Sequence, residues 1–213
     1  MDSKKVQPVS KSTLHRLPFY LQCLKDRAVR ETHISAPVLA EDLLLNEVQV
    51  RKDLAAVSRN GGRPKTGYVI QQLIQEIEFF LGYHEKRRAV IVGAGHLGKA
   101  LICSKDLQDY GLKIEAAFDE DESLQNQWID GVCVYAVHRI PEFCQECHVN
   151  VGIITVPANA AQHVCDLLTE SGVKAIWNFT PTHLHVPEGV ALQNENMASS
   201  LAVLMHTLKE YNG

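Results

Sequence analysis

Ala89-Val90-Ile91-Val92-Gly93-Ala94-Gly95-His96-Leu97-Gly98 reads as a strand running straight into a glycine turn that opens a helix. Four consecutive apolar residues suit a strand buried on both faces. The next six spell Gly-x-Gly-x-x-Gly, and helical spacing continues to about Leu107. In such a turn the first glycine permits the tight reversal and the second lets the backbone approach a pyrophosphate. The third lets helix and strand pack closely. Backbone N–H groups and the helix dipole then face an anion. Asp119 stands 21 residues after Gly98, at the end of a second strand read at Leu112–Phe118. From there a carboxylate accepts hydrogen bonds from an adenosine ribose. Glu120, Asp121 and Glu122 follow with no Arg or Lys, so a 2′-phosphate would be repelled and NAD(H) is preferred over NADP(H).

Downstream the rhythm keeps alternating. Strands are read at Gly131–Tyr135, Val151–Val156 and Lys174–Phe179, with a helix at Asn159–Ser171. That pattern predicts a Rossmann-like α/β unit, a parallel sheet covered on both faces, over residues 85–195. Ligands sit outside the carboxyl ends of such strands. Thr155, Val156, Pro157, Asn178 and Phe179 are therefore expected on the nicotinamide side, joining Gly93, Ala94, Gly95, His96, Leu97, Gly98 and Asp119. A last helix, Asn196 to Tyr211, carries Met197, Leu201, Leu204, Met205 and Leu208, an apolar face that needs a partner surface. Met197 is included among the candidate cofactor contacts.

Residues 1–84 read differently, as mainly helices. Ser12 to Lys25 has Leu14, Leu17, Leu21 and Leu24 at helical spacing, with Pro18 expected to delay or bend it. Ser35 caps a short second helix through Leu44, with Pro37 in its first turn. Asn46 caps a third helix, and Gln49 completes a capping-box pattern. A fourth helix runs from about Val69 to Leu81. The second helix, a tight turn and the basic third helix form a helix-turn-helix pattern. Gln49, Val50, Arg51 and Lys52 sit near the N-terminal end of the third helix, where side chains reach base edges in a major groove. Arg can bond guanine, Gln can pair with adenine and Val can touch a thymine methyl. Arg59, Arg63 and Lys65, in the Gly- and Arg-rich loop Ser58–Gly67, suit a wing on phosphate or a narrow minor groove. A solvated basic helix followed by an irregular loop accounts for the same residues.

Charge divides the chain in the same place. Through Arg88 there are 15 Lys and Arg against 10 Asp and Glu; beyond it there are 6 against 15. The whole 213-residue chain is 46% hydrophobic with net charge −4, ordinary for a globular protein. No apolar run approaches the roughly 18 residues a bilayer span needs. Met1-Asp2-Ser3-Lys4-Lys5 has no apolar stretch behind its lysines, so no signal peptide and no membrane partner are expected. The six cysteines then read as reduced thiols of a cytoplasmic protein. Cys144-Gln145-Glu146-Cys147-His148 matches a haem-attachment string but lacks the export that chemistry requires. It is incomplete as a zinc site, so no metal is expected. His183, His185 and His163 read as surface histidines.

Assembled, these residues resemble the Rex family of redox-sensing transcriptional repressors over nearly the whole chain. The resemblance is carried by Arg16-Leu17-Pro18 with Tyr20-Leu21, by Gln49-Val50-Arg51-Lys52-Asp53-Leu54 and by Gly67-Tyr68. It continues through the Gly93–Gly98 loop, Ala116-Ala117-Phe118-Asp119, Val156-Pro157-Ala158 with Ala161-Gln162, and Asn178-Phe179 before Pro181. It implies an N-terminal winged-helix domain, a Rossmann domain and a terminal helix, 196–213, swapped between the subunits of a homodimer. It also implies binding to double-stranded DNA at an inverted-repeat operator, release when NADH binds, and no catalytic residue. Arg16 and Ser35 enter the candidate DNA set by the same resemblance. Three positions depart from the family pattern. Ser104 stands where a tyrosine is usual, Asn196 where an aspartate precedes the swapped helix, and Arg63–Tyr68 lacks the usual Arg-Gly-x-Gly-Tyr wing. Serine is too short to replace a phenol and asparagine cannot form a salt bridge, so a weakened or rewired NADH response, or another adenine effector, is the alternative reading. A small NAD-dependent oxidoreductase is disfavoured, because the second domain is a basic helical module rather than a substrate domain.

Overall fold

The computed structural model describes residues 9–59, 61–64 and 66–211, so the candidate Lys65 lies outside the described residues. The chain divides into two compact units between Glu85 and Lys86.

In the first unit, α1 (Lys11–Arg27) starts at Ser10, whose hydroxyl accepts the Thr13 N–H. Pro18 lies inside α1 and does not delay it. The bond it forfeits is to the carbonyl of Leu14, on the exposed side where water can serve, while Leu17, Tyr20, Leu21 and Leu24 anchor both halves in the core. A two-residue strand β1 (His33–Ile34) precedes α2 (Ala36–Asp42), capped by Ser35 with Pro37 in its first turn. The helix ends at Asp42 rather than Leu44, because Leu44 takes φ +53°, where a helix cannot continue. The Asn46 side chain accepts the N–H groups of Val48 and Gln49 and starts α3 (Glu47–Val57). The reciprocal half of the expected capping box does not form: Gln49 Nε2 donates instead to Asp53 Oδ1 at 3.0 Å, a charged acceptor one turn on.

Strand β2 (Tyr68–Val69) pairs antiparallel with β1 and leads into α4 (Ile70–Leu81). Two-residue strands have no periodicity to read, which is why the sequence pattern did not reveal them. Between α3 and β2 the chain folds back through a backbone bridge of Arg63 with Gly67. Gly67 is required there, since at φ +73° a Cβ would lie 2.2 Å from the Ile34 carbonyl oxygen. Three helices, the α2–turn–α3 pair and this ribbon make a winged helix around Leu17, Tyr20, Leu24, Leu39, Leu54, Ile70 and Ile77.

The second unit is a seven-stranded sheet. Its strands are β3 (Arg87–Val92), β4 (Leu112–Asp119), β5 (Trp128–Ile129), β6 (Val132–Ala136), β7 (Val151–Ile154), β8 (Ala175–Asn178) and β9 (Ala191–Asn194). The order is β5-β6-β4-β3-β7-β8-β9, parallel except for β5. Helices α5 (His96–Ile102), α6 (Asp106–Asp109), α7 (Ile140–Glu146), α8 (Ala158–Glu170) and α9 (Met197–Tyr211) complete it. Along β3 the residues alternate between two cores: Val90 and Val92 face Phe118, Ile154 and Leu168, while Ala89 and Ile91 face Ala117, Val134 and Ile153. Burial on both faces is what an uninterrupted apolar strand encodes. The glycine-turn helix stops at Ile102, its last buried residue, instead of reaching Leu107; the chain leaves it through Cys103–Lys105. The edge strands β5 and β9 were not expected: they are short and largely exposed, so they show no apolar pattern. No residue of α9 is buried. Among the described residues no helix is long and apolar enough to cross a membrane.

Candidate functional site

Register builds the first site. Val92 pairs with Phe118 on one side and with Ile154 on the other, so Gly93, Asp119 and Thr155 leave the sheet side by side at the carboxyl ends of three adjacent strands. The chain path diverges there to opposite sides of β3, the position where open α/β sheets bind ligands. The Gly93 N–H donates to the Phe118 carbonyl, and the Thr155 hydroxyl to the Gly93 carbonyl at 2.7 Å. Gly93 takes φ +101°, and a Cβ on Gly98 would sit 1.9 Å from the Gly93 carbonyl oxygen. A Cβ on Gly95, by contrast, would meet nothing within 4 Å. Two glycines thus serve the fold and one keeps space open. That space is part of a cleft of about 590 Å³ lined by Gly93, Gly95, Asp119, Thr155, Val156 and Pro157, together with Val92, Glu120, Asp121, Val137, Ala160 and Val164. Its size suits a small-molecule cofactor.

Asp119 orders the mouth of the cleft. Its Oδ2 accepts the Ala94 N–H at 2.6 Å and its Oδ1 the Asp121 N–H at 2.9 Å. Hydrogen bonds from the Ser123 side chain and backbone hold the Asp121 carboxyl below its ordinary range, so the rim stays anionic. Ala94 is buried, and His96, Leu97 and Gly98 form the first turn of α5, whose N–H groups have no intrahelical acceptor. The pyrophosphate-and-ribose pattern of NAD(H) fits these groups: open space at Gly95, N–H donors beside it and a carboxylate at the second strand end.

Three expected cofactor contacts are placed elsewhere. Asn178 is fully buried; its Nδ2 donates to the Thr182 carbonyl and to Asn194 Oδ1, and its Oδ1 accepts the N–H and hydroxyl of Thr180. It brackets the loop after β8 instead of lining the cleft. Phe179 stacks at 4.8 Å against Trp177. Met197 is 74% exposed at the start of α9. Conversely, Val137, Ala160 and Val164 line the cleft unanticipated. Val137 follows directly on β6, the same strand-end signal that located Thr155.

In the winged helix the organising group is Asp53. It is 2% exposed and accepts from Thr13 Oγ1 (2.9 Å), Tyr20 Oη (2.7 Å), Gln49 Nε2 (3.0 Å) and both Nε and Nη2 of Arg16 (2.7 and 3.0 Å). Burial pushes its carboxyl up, and these bonds more than reverse that, holding it below the ordinary value. Burial and the bond to Asp53 push the Tyr20 phenol up to about 12. Arg16 and Gln49, both expected at DNA, are thus tied to the interior of their own unit. Val50 is corrected outright: it is 0% exposed, on the core side of α3, and cannot reach a thymine methyl. The neighbouring Val48, missed in the sequence, is 59% exposed. Arg51 is exposed and paired with Glu47, and Lys52 is exposed. Ser35 serves as the α2 cap. Arg63 is exposed at the ribbon bridge. The Arg59 guanidinium lies 4.4 Å over the Phe79 ring, itself stacked on His84 at 4.7 Å.

All six cysteines are free. Burial pushes the Cys144 thiol up to about 11, so the Cys144–Cys147 pair is poorly suited to thiolate chemistry. Among the described residues no group of three or more His, Cys, Asp or Glu could hold a metal.

Comparison with known proteins agrees with this division. Residues 8–55 match the family described as "Putative DNA-binding protein N-terminus", and residues 84–182 match the CoA binding domain. The chain is 38% identical to the redox-sensing transcriptional repressor Rex of Porphyromonas gingivalis, covering 98% of this chain and 94% of that one. It is 36% identical to the Rex of Bacteroides thetaiotaomicron over 94% of this chain and 91% of the relative. Among solved structures, RSP in complex with β-NAD⁺ and operator DNA superposes with a TM-score of 0.90 at 30% identity, covering 97% of this chain and 95% of that one. RSP in complex with β-NADH does so at 0.85 and 31%, with 96% of each covered.

Proposed function

This chain belongs to the Rex family of redox-sensing transcriptional repressors, and we propose that it represses transcription from an inverted-repeat operator and leaves that DNA when NADH binds. The observation that carries this is the pairing, on one chain, of an open glycine-turn cleft at Gly95 with a winged helix whose α3 exposes Arg51 and Lys52. When bound, the nucleotide supplies a redox signal and no chemistry is done on it. Gly93–Gly98 and Asp119 hold the pyrophosphate and ribose, and Thr155, Val156 and Pro157 lie along the nicotinamide side. Arg51, Lys52, Arg59 and Arg63 contact DNA. NADH favours a state that DNA disfavours, so by reciprocity operator DNA lowers the affinity for NADH by the same factor.

The working form is a cytoplasmic homodimer with no catalytic residue. Supporting it, α9 exposes Met197, Leu201, Val203, Leu204, Met205 and Leu208, all more than half exposed, an apolar face that exchange between two subunits would cover. The domain limits 1–84, 85–195 and 196–213 follow.

Ser104 and Asn196 favour a second reading, in which nucleotide and DNA bind but the NADH response is weak. Ser104 carries only a hydroxyl just beyond α5, and Asn196 Oδ1 accepts the Ser199 N–H at 3.1 Å as a cap of α9. One titration separates the two. NADH and NAD⁺ are added separately to the protein on a labelled inverted-repeat duplex at fixed salt. Release by NADH and not by NAD⁺ is expected; retention at saturating NADH establishes the second reading.

A further inference from the structure

The outward stripe of α3 assigns a reading residue that the core-side pattern conceals. A helix that buries one stripe presents the opposite one. Val50, Asp53, Leu54 and Val57 are buried. Val48, Lys52 and Ala55, spaced four and three residues apart, run along the opposite side and are all exposed, with Arg51 and Ala56 beside them. Val48 is the second residue of the helix, directly after the Asn46 cap, and is 59% exposed. That end of a recognition helix meets base edges. Ala55 and Ala56 carry nothing beyond Cβ, so the next turns do not hold the helix away from a groove. Gln49 points off this stripe, with its amide on Asp53. The Glu47–Arg51 ion pair beside Val48 is solvent-exposed and costs little to exchange for a base or phosphate. A valine here contributes almost nothing to the core of its unit. Its branched methyls are instead the apolar surface that a thymine C5-methyl packs against.

Resting on the DNA-binding reading above, we propose that Val48 is a specificity-determining residue that recognises a thymine methyl in the major groove. The full chain first selects its preferred duplex from a randomised pool at fixed salt. If no duplex is enriched, the DNA-binding reading fails and the proposal falls with it. With a selected duplex in hand, each thymine is replaced in turn by deoxyuracil, which removes the methyl alone. The wild-type protein is expected to lose about fourfold in affinity at one thymine per half-site, the worth of one buried methyl. Val48→Ala is expected to bind the thymine duplex correspondingly more weakly and to be indifferent to deoxyuracil at that position. Because Val48 is exposed, its replacement leaves the melting temperature in place, which circular dichroism checks. Undiminished methyl sensitivity in Val48→Ala, or a wild-type protein indifferent to every methyl of a duplex it selected, overturns the assignment while leaving DNA binding intact.

Discussion

Two aspartates, one in each unit, show how differently one chain uses the same carboxylate. Asp53 receives five hydrogen bonds, all from side chains of its own unit. A carboxylate offers about four lone-pair sites, so Asp53 is saturated. Asp119 receives two, both from backbone N–H groups, and lines an open cleft. Its remaining acceptor capacity is what ribose hydroxyls would take. Saturation by the fold marks a pin between helices; capacity left over at a cleft marks a ligand contact.

The harshest test of that contrast is Asp53→Ala. It strands a partly buried guanidinium and the Tyr20 hydroxyl. It should destabilise the winged helix by about 3 kcal/mol, lowering its melting temperature by roughly 15 °C, with NADH binding to the other unit unchanged. Thermal unfolding by circular dichroism and calorimetric titration read the two effects separately. The same pin gives a pH signature. Asp53 is held below its ordinary value, so its contribution is full above the unfolded carboxyl pKa of about 3.9 and is lost as pH falls through the lowered folded value. The wild-type melting temperature should therefore drop more steeply on acidification than that of Asp53→Ala; equal slopes would show that Asp53 is not the pin.

On the cleft side the expected pattern inverts. Gly95→Ala adds a carbon that meets no protein atom within 4 Å, so melting should be unchanged while NADH affinity falls by about tenfold or more. Gly98→Ala, aimed at the Gly93 carbonyl, should lower both stability and affinity. Asp119→Asn should cost about tenfold in NADH affinity and narrow the preference over NADPH, again with little change in melting. A large melting loss in Asp119→Asn would mean that the cleft carboxylate is as structural as Asp53. The smallest effect is expected in the first unit. Leu44 sits at φ +53° and is 93% exposed, so Leu44→Gly relieves left-handed strain. The extra freedom of glycine in the unfolded chain offsets part of the gain, leaving about 0.5 kcal/mol and a rise of a few degrees in melting temperature.

The cleft was largely legible in the sequence and the DNA face was not. Gly93, Gly95 and Gly98 announce a turn because their backbone demands are local, and Asp119 and Thr155 announce themselves as strand ends. Val48 and Val50 are both valines on one helix, and only the packing of α3 within its unit determines which is inward. Asn178 looked like a strand-end ligand contact until Thr180, Thr182 and Asn194 were seen to take up its amide.

The order of elements, the two-unit division and the glycine turn follow from sequence alone, because apolar periodicity, capping and glycine conformation act within a few residues. Which polar side chains face inward was left to tertiary structure. Arg16, Tyr20 and Thr13 reach Asp53 across 37, 33 and 40 residues of chain. Hydrogen-bond partners at that separation are chosen by helix packing, which brings donor and acceptor within 3 Å only once the core has closed.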